Sequence, residues 1–335
     1  MVLIGDPKQI QLSFLRPIIP FQAYPLRQPP FFWPARTSLQ PLTSPLYELT
    51  ENDRVTSYGF FLYNPSLLTP LIEQGNCGSC WAICVCYMLA DRLAIHSEGR
   101  FRFALSPQNL IDCFSESCER GGSPEKACLW LQNSRHSVHL LTDQAYVSSR
   151  GVQFKCKDIR YRFQCHTKPQ SLIRLTEFIT DTMENATRQT TIARNIQRMK
   201  HALEHYGPIV ASIAVYENLY NHDGQTIYRH SSGQLIGGHA IEIIGYNDKD
   251  SSGHDTRTPF QDNYWICRSS WTKDWPRNTS TPGYFMILMG ENVCGVESRC
   301  CLAAPEGRGE IPFRYSKLKP IRFTSFDTYY DANDG

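Results

Sequence analysis

An α+β protein of two lobes is predicted, a helical left lobe and a β-barrel-like right lobe with a cleft between them. Two patterns carry that reading. Between residues 80 and 135 apolar side chains recur at helical spacing, while residues 209–290 hold β-type runs such as Ile209-Val210-Ala211-Ser212-Ile213-Ala214-Val215-Tyr216. The clearest helix is Trp81–Leu93, where Ala82, Val85, Cys86, Leu89 and Leu93 follow the i, i+3, i+4, i+7 rule and predict a buried face. A later helix, marked by Ile192, Ile196, Met199 and Leu203, stops at Gly207-Pro208. Tyr264-Trp265-Ile266-Cys267-Arg268 and Gly283-Tyr284-Phe285-Met286-Ile287 read as further strands. The junction of two such lobes is a common place for a pocket.

The chemistry concentrates in Gln74-Gly75-Asn76-Cys77-Gly78-Ser79-Cys80-Trp81-Ala82. Gly75, Gly78 and Ser79 make a flexible loop, so Cys80 falls at a helix N-terminus, where unpaired N–H groups and the helix dipole favour an anion. That position is expected to lower the thiol pKa and supply thiolate near neutral pH. A zinc site would need a second Cys or Cys/His pair at similar spacing. A thioredoxin-type site would follow a strand, and Leu71-Ile72-Glu73 is too short to supply one. A cysteine nucleophile needs a base. Among the ten histidines His239 is best framed, because Gly237-Gly238 lets another backbone approach and Ala240-Ile241-Glu242-Ile243-Ile244 fixes the ring on a strand. His96, His136, His139 and His166 have no such framing.

Together with Leu105-Ser106-Pro107-Gln108-Asn109-Leu110-Ile111-Asp112-Cys113, Tyr206-Gly207-Pro208-Ile209-Val210 and Gly290-Glu291-Asn292-Val293-Cys294-Gly295-Val296-Glu297-Ser298, these segments resemble the papain family of cysteine proteases, and the cathepsin B branch most. The resemblance covers about residues 60 to 304. It implies that Cys80 attacks, His239 is its acid/base partner, and the Gln74 amide donates to the oxyanion. It also implies a substrate cleft that includes Gly121, Gly122, Gly238, Trp271 and Arg299. Cys77–Cys118 is the implied first disulfide, with Cys113 joined to Cys156 or Cys165. No metal and no organic cofactor is implied.

Three departures from the family pattern stand out. Ser269 occupies the position of the asparagine that orients the imidazole; Asp262 and Asn263 lie nearby as alternatives. A serine hydroxyl is shorter, so lowered turnover is expected rather than its loss. Cys118 is separated from Gly121-Gly122 by two residues, Glu119-Arg120, where the family has one. Arg299 stands where cathepsin B carries an acidic group at the base of its S2 pocket, although an arginine is seldom buried and an exposed one is the plain alternative. No His-His pair of the kind that serves carboxydipeptidase action occurs between Gly122 and His239, so endopeptidase action is expected. Cys156 and Cys165 offer the ends of a short loop beside His166.

Composition narrows the setting. At 335 residues with a net charge of +2, the chain has room for a full core and no excess charge to attract nucleic acid or a membrane surface. No apolar run reaches membrane-spanning length. Protein or peptide substrates and a monomeric state are the expectation. Thirteen cysteines suit an oxidising, lysosomal or secreted compartment, yet the stretch from Ile10 to Phe21 is broken by Arg16, Pro17 and Pro20 and makes a poor secretory signal. Residues 1–50 form a proline-rich arm, with nine prolines from Pro7 to Pro45, that reads as a reduced propeptide. Residues 51–304 form the protease-like domain, and residues 305–335 a tail without strong periodicity, expected to lie over the surface or stay mobile. A short propeptide with a substituted asparagine fits a virus-encoded cathepsin. Asn185-Ala186-Thr187 and Asn278-Thr279-Ser280 are sequons, informative only for a secreted protein.

Overall fold

Helix α1 (Cys80–His96) lies in the core of the protein. Its apolar spacing predicts burial, and the structure buries every residue from Cys80 to Ile95, Asp91 and Arg92 included. A helix enclosed on all sides is a core helix rather than a surface one. In the computed structural model the described residues are 57–59, 68–97, 101–114, 116–133, 135–156, 161, 163–247, 262–272, 274–276 and 281–309. The proline-rich arm, residues 248–261 and the second sequon lie outside them.

Two short helices accompany α1 in the first lobe: α2 (Gln108–Cys113) and α3 (Pro124–Leu131). Ser123 caps α3 by accepting from the Lys126 N–H, and Pro124 occupies the first turn, where a missing N–H costs nothing. Disulfides Cys77–Cys118 and Cys113–Cys156 tie this lobe together. They span 41 and 43 residues, and loops of that length restrict the unfolded chain by roughly 4 kcal/mol each. Of the two partners left open for Cys113, Cys156 is the one bonded. Cys165 is a buried free thiol, so it closes no loop with Cys156.

Strands β1 (Ser57–Gly59), β3 (Ile173–Arg174), β4 (Ile209–Tyr216), β5 (Ile227–Tyr228), β6 (Leu235–Asn247), β7 (Tyr264–Arg268), β8 (Tyr284–Leu288) and β9 (Cys300–Leu302) form the main sheet. Its order is β3-β9-β4-β6-β7-β8-β5, with β1 also paired to β6. Every pairing is antiparallel except β5 with β8. Helix α4 (Asn185–Tyr206) buries Ile192, Met199 and Leu203 of the predicted stripe, leaves Ile196 half-buried, and ends at Gly207, whose φ of +96° suits glycine. A four-residue helix, α5 (Glu217–Tyr220), follows β4. No described helix is long and apolar enough to cross a membrane.

A second, two-stranded sheet pairs β2 (Phe163–Thr167) with β10 (Pro305–Gly309). The folded chain therefore runs five residues past position 304, where the sequence shows no periodic signal. Pro-Glu-Gly-Arg-Gly has no apolar alternation; this strand exists because the β2 edge offers it backbone partners. Residues 310–335 lie outside the described residues.

Candidate active site

The loop before α1 is held from three sides. Gly75 takes φ +62°, and a Cβ there would lie 2.1 Å from the Ser149 carbonyl oxygen, which also accepts the Asn76 N–H. The Cys77–Cys118 disulfide and the Gly78 N–H to Cys118 carbonyl bond at 2.8 Å fix the second side. Tyr146 fixes the third: its hydroxyl donates to the Gln74 carbonyl at 2.6 Å and lies 2.8 Å from Ser79 Oγ. Cys80 is thereby the first residue of α1, as the sequence predicts.

Gly121 and Gly122 follow directly on a turn. Ser117 and Gly121 pair across it, and its tip, Glu119-Arg120, is exposed. Gly121 has φ +69°. At Gly122 a Cβ would meet the Trp81 ring at 2.6 Å, so only glycine fits against the indole.

His239 lies in β6, and Gly238 before it pairs with Ala214 of β4. Its Nε2 is 3.0 Å from Ser269 Oγ, just beyond the end of β7, and Trp271 covers the ring at 4.5 Å between centroids. Ser269 Oγ also accepts the Trp271 N–H at 3.2 Å. The nearby alternatives sit elsewhere: Asp262 pairs with Arg229 at 2.5 Å, and the Asn263 carbonyl accepts the Met289 N–H. The imidazole Nδ1 is buried and has no hydrogen-bond partner among the described residues. Cys80 Sγ accepts the N–H of Ala240, the residue after His239, at 3.5 Å. One turn further along α1, Cys84 Sγ donates to the Ala240 carbonyl at 3.3 Å. Both thiols thus engage the backbone of the same residue, Ala240, directly after the histidine.

Gln74 is fully buried. Its Nε2 donates to the Cys77 carbonyl at 3.0 Å, while its Oε1 accepts from Ser270 Oγ at 2.8 Å. The former bond fixes which end of the amide is the donor, because a backbone carbonyl can only accept, whereas a hydroxyl can do either. Ser270 and Tyr146 were not singled out from sequence. Ser270 neighbours the predicted Ser269, whereas nothing local marks Tyr146.

Burial overrides the helix terminus. Cys80 is 0% exposed and His239 1%, so desolvation raises the thiol to about 11 and lowers the imidazole to about 3. The bond from the Ala240 N–H lowers the thiol value, but by less than burial raises it. Burial thus acts against the low thiol pKa expected from the helix terminus, and it favours the neutral form of each group taken alone. Proton transfer from Sγ to the imidazole would create an ion pair in place of two isolated charges. At about 4 Å and an effective dielectric near 20, such a pair gains about 4 kcal/mol, roughly three pK units of the gap.

Arg299 is exposed, with its guanidinium carbon 4.8 Å from the Phe178 ring centroid. Its carbonyl accepts the N–H of Ser212, which pairs with Ala240 across β4 and β6. The backbone thus comes within two strands of the histidine, while the side chain lies over an exposed ring.

Residues 63–304 match the family described as papain family cysteine protease. A gut-specific cysteine proteinase of Caenorhabditis elegans is 28% identical over 233 residues, covering 68% of this chain and 65% of its own length. Cathepsin B-like CP2 of Giardia intestinalis is 29% identical over 260 residues, covering 76% of each. The chain spans about two thirds of the length of the first of these relatives. In fold, the chain is similar to procathepsin B S9 from Trypanosoma congolense, with a TM-score of 0.57, 21% identity and coverage of 75% and 77%. A match across this much of the chain, in the order helix-borne cysteine, strand-borne histidine and tryptophan-rich turn, places the protein in the papain family of cysteine proteases.

Proposed function

We propose that this chain is a cysteine endopeptidase acting on protein or peptide substrates. The observation that carries the reading is the Cys80 thiol bonded to the backbone N–H of Ala240, the residue after His239, with Ser269 Oγ on the imidazole Nε2 and the Gln74 amide beside the Cys80 loop. In the first step the unpartnered Nδ1 takes the Sγ proton and the thiolate attacks the scissile carbonyl. The oxyanion draws on the Gln74 side chain and the Cys80 backbone N–H. The imidazolium then protonates the leaving amine. Water hydrolyses the thioester with His239 as base, returning the thiol and a carboxylate.

Ser269 has a defined part in this scheme. Its hydroxyl carries one proton and two lone pairs, one of which receives the Trp271 N–H. It can accept from an imidazolium at Nε2, and it can equally donate to a neutral ring. An asparagine carbonyl would only accept.

A second reading is a nearly inactive homologue that binds peptides. The burial of Cys80 and His239, which acts against the charged form of each, favours it. Two measurements separate the readings. A peptidyl epoxide or fluoromethylketone probe labels an active enzyme, and Cys80→Ser removes the label. Internally quenched peptides report internal cleavage; their survival beside efficient removal of C-terminal dipeptides would replace endopeptidase by exopeptidase action.

A further inference from the structure

A single guanidinium reaches all four chain segments that carry the site. Arg268 ends β7 and directly precedes Ser269. Its Nη2 donates to Asp91 Oδ2 at 2.6 Å on α1, the helix that starts at Cys80. The same nitrogen lies 2.5 Å from Glu242 Oε2 in β6, three residues beyond His239 and directly across the strand pair from Arg268. Its Nη1 donates at 2.9 Å to the carbonyl of Thr69, five residues before Gln74. That segment is tied twice more to α1. The Thr69 N–H donates to Asp91 Oδ1 at 2.8 Å, and the Ile72 N–H donates to the Tyr87 hydroxyl at 2.5 Å. The Tyr87 ring lies 3.8 Å from the guanidinium carbon.

The side chains of Arg268, Asp91 and Glu242 are all 0% exposed. A buried ion cluster of this kind is a weak source of stability, because desolvation offsets the attraction; its best-attested use is to specify one geometry. Two carboxylates share one guanidinium here. Burial and the neighbouring Asp91 hold the Glu242 carboxyl well above the usual range, against the opposing pull of Arg268. The planar fork matters as much as the charge. It directs donors to a helix carboxylate and a loop carbonyl at once, with a strand carboxylate in contact, an arrangement a lysine ammonium does not reproduce.

We propose that Arg268 is the positioning residue of this site, holding the segments that bear Gln74, Cys80, His239 and Ser269 in one register through Thr69, Asp91 and Glu242. It touches none of the reacting atoms. The inference rests on the peptidase reading for its consequence in turnover, but its geometry can be tested without peptide cleavage.

The test compares wild type with Arg268→Lys and Asp91→Asn, each shown folded by circular dichroism. Two readouts are taken: kcat and KM on a fluorogenic peptide, and the rate of Cys80 carboxamidomethylation by iodoacetamide at pH 7, with Cys80→Ser as blank. In Arg268→Lys, kcat falls tenfold or more with KM within threefold, and the alkylation rate falls in parallel as the imidazole leaves its place. If the lysine variant does not fold, Asp91→Asn is read by the same criteria. A folded variant that keeps both kcat and alkylation within twofold of wild type overturns the inference, as does one that changes KM alone. Should wild type cleave no peptide, the peptidase reading fails, and the alkylation comparison alone decides whether Arg268 positions the site.

Discussion

Ser269→Asn tests whether the hydroxyl beside His239 limits turnover. The neutral imidazole has two tautomers, and only one, with its proton on Nε2 and a bare Nδ1, can take the Cys80 proton. Ser269 Oγ, 3.0 Å from Nε2, supports either one by accepting or donating. An asparagine oxygen supports the productive tautomer alone. With both tautomers supported alike, about half of the neutral imidazole is in the competing form, so its removal should raise kcat about twofold. KM should stay within twofold, because the change acts on the chemical step. There is an opposing cost. Ser269 is buried beside Trp271, and added volume in a packed site costs about 1–3 kcal/mol. The variant should therefore melt several degrees lower while working faster. Initial rates on a fluorogenic peptide, with thermal midpoints by differential scanning fluorimetry, measure both effects. Ser269→Ala is the companion: it strips Nε2 and the Trp271 N–H of their partner and should lower kcat about tenfold. An asparagine variant that is folded yet no faster than wild type, or an alanine variant that equals wild type, refutes the tautomer argument.

Three further outcomes are expected. Cys80→Ala should abolish peptide cleavage without unfolding, whereas Cys84→Ala, which loses one weak bond to the Ala240 carbonyl, should keep activity within tenfold; equal loss in folded Cys84→Ala protein would overturn the choice of nucleophile. Arg299→Glu should improve cleavage after Arg-Arg relative to Phe-Arg by up to tenfold at low ionic strength, with the gain shrinking in salt because Arg299 is exposed; a wild type that already cuts both equally removes Arg299 from the specificity site. Acid should destabilise the fold between about pH 6.5 and pH 4. Burial lowers His239 to about 3 and His96 to about 4, so the unfolded chain binds more protons in that window and stability falls with pH, by about 1.4 kcal/mol per unit per histidine. Urea midpoints measured across the window check the sign, and His96→Asn should flatten the slope.

The sequence by itself determined the parts of this protein that are written locally. Helical spacing from Ala82 to Leu93 and from Ile192 to Leu203, the stop at Gly207-Pro208, and the strands at 209, 264 and 284 all follow from side-chain period and turn residues. The loop before Cys80 and the framing of His239 were legible for the same reason. Tertiary structure decided what depends on contacts between distant segments. That Ser269, not Asp262 or Asn263, lies on the imidazole follows from where β7 ends against β6. The thiol and imidazole values follow from burial, which a helix-terminus argument does not contain. The pairing of Cys113 with Cys156, the β10 strand, and the meeting of Arg268, Asp91 and Glu242 have no local signature either. Residues 91, 242 and 268 look in sequence like ordinary charged positions, and only the packing of α1 against the sheet removes them from water. Period and turn chemistry act over a few residues, whereas desolvation and pairing are properties of the assembled core.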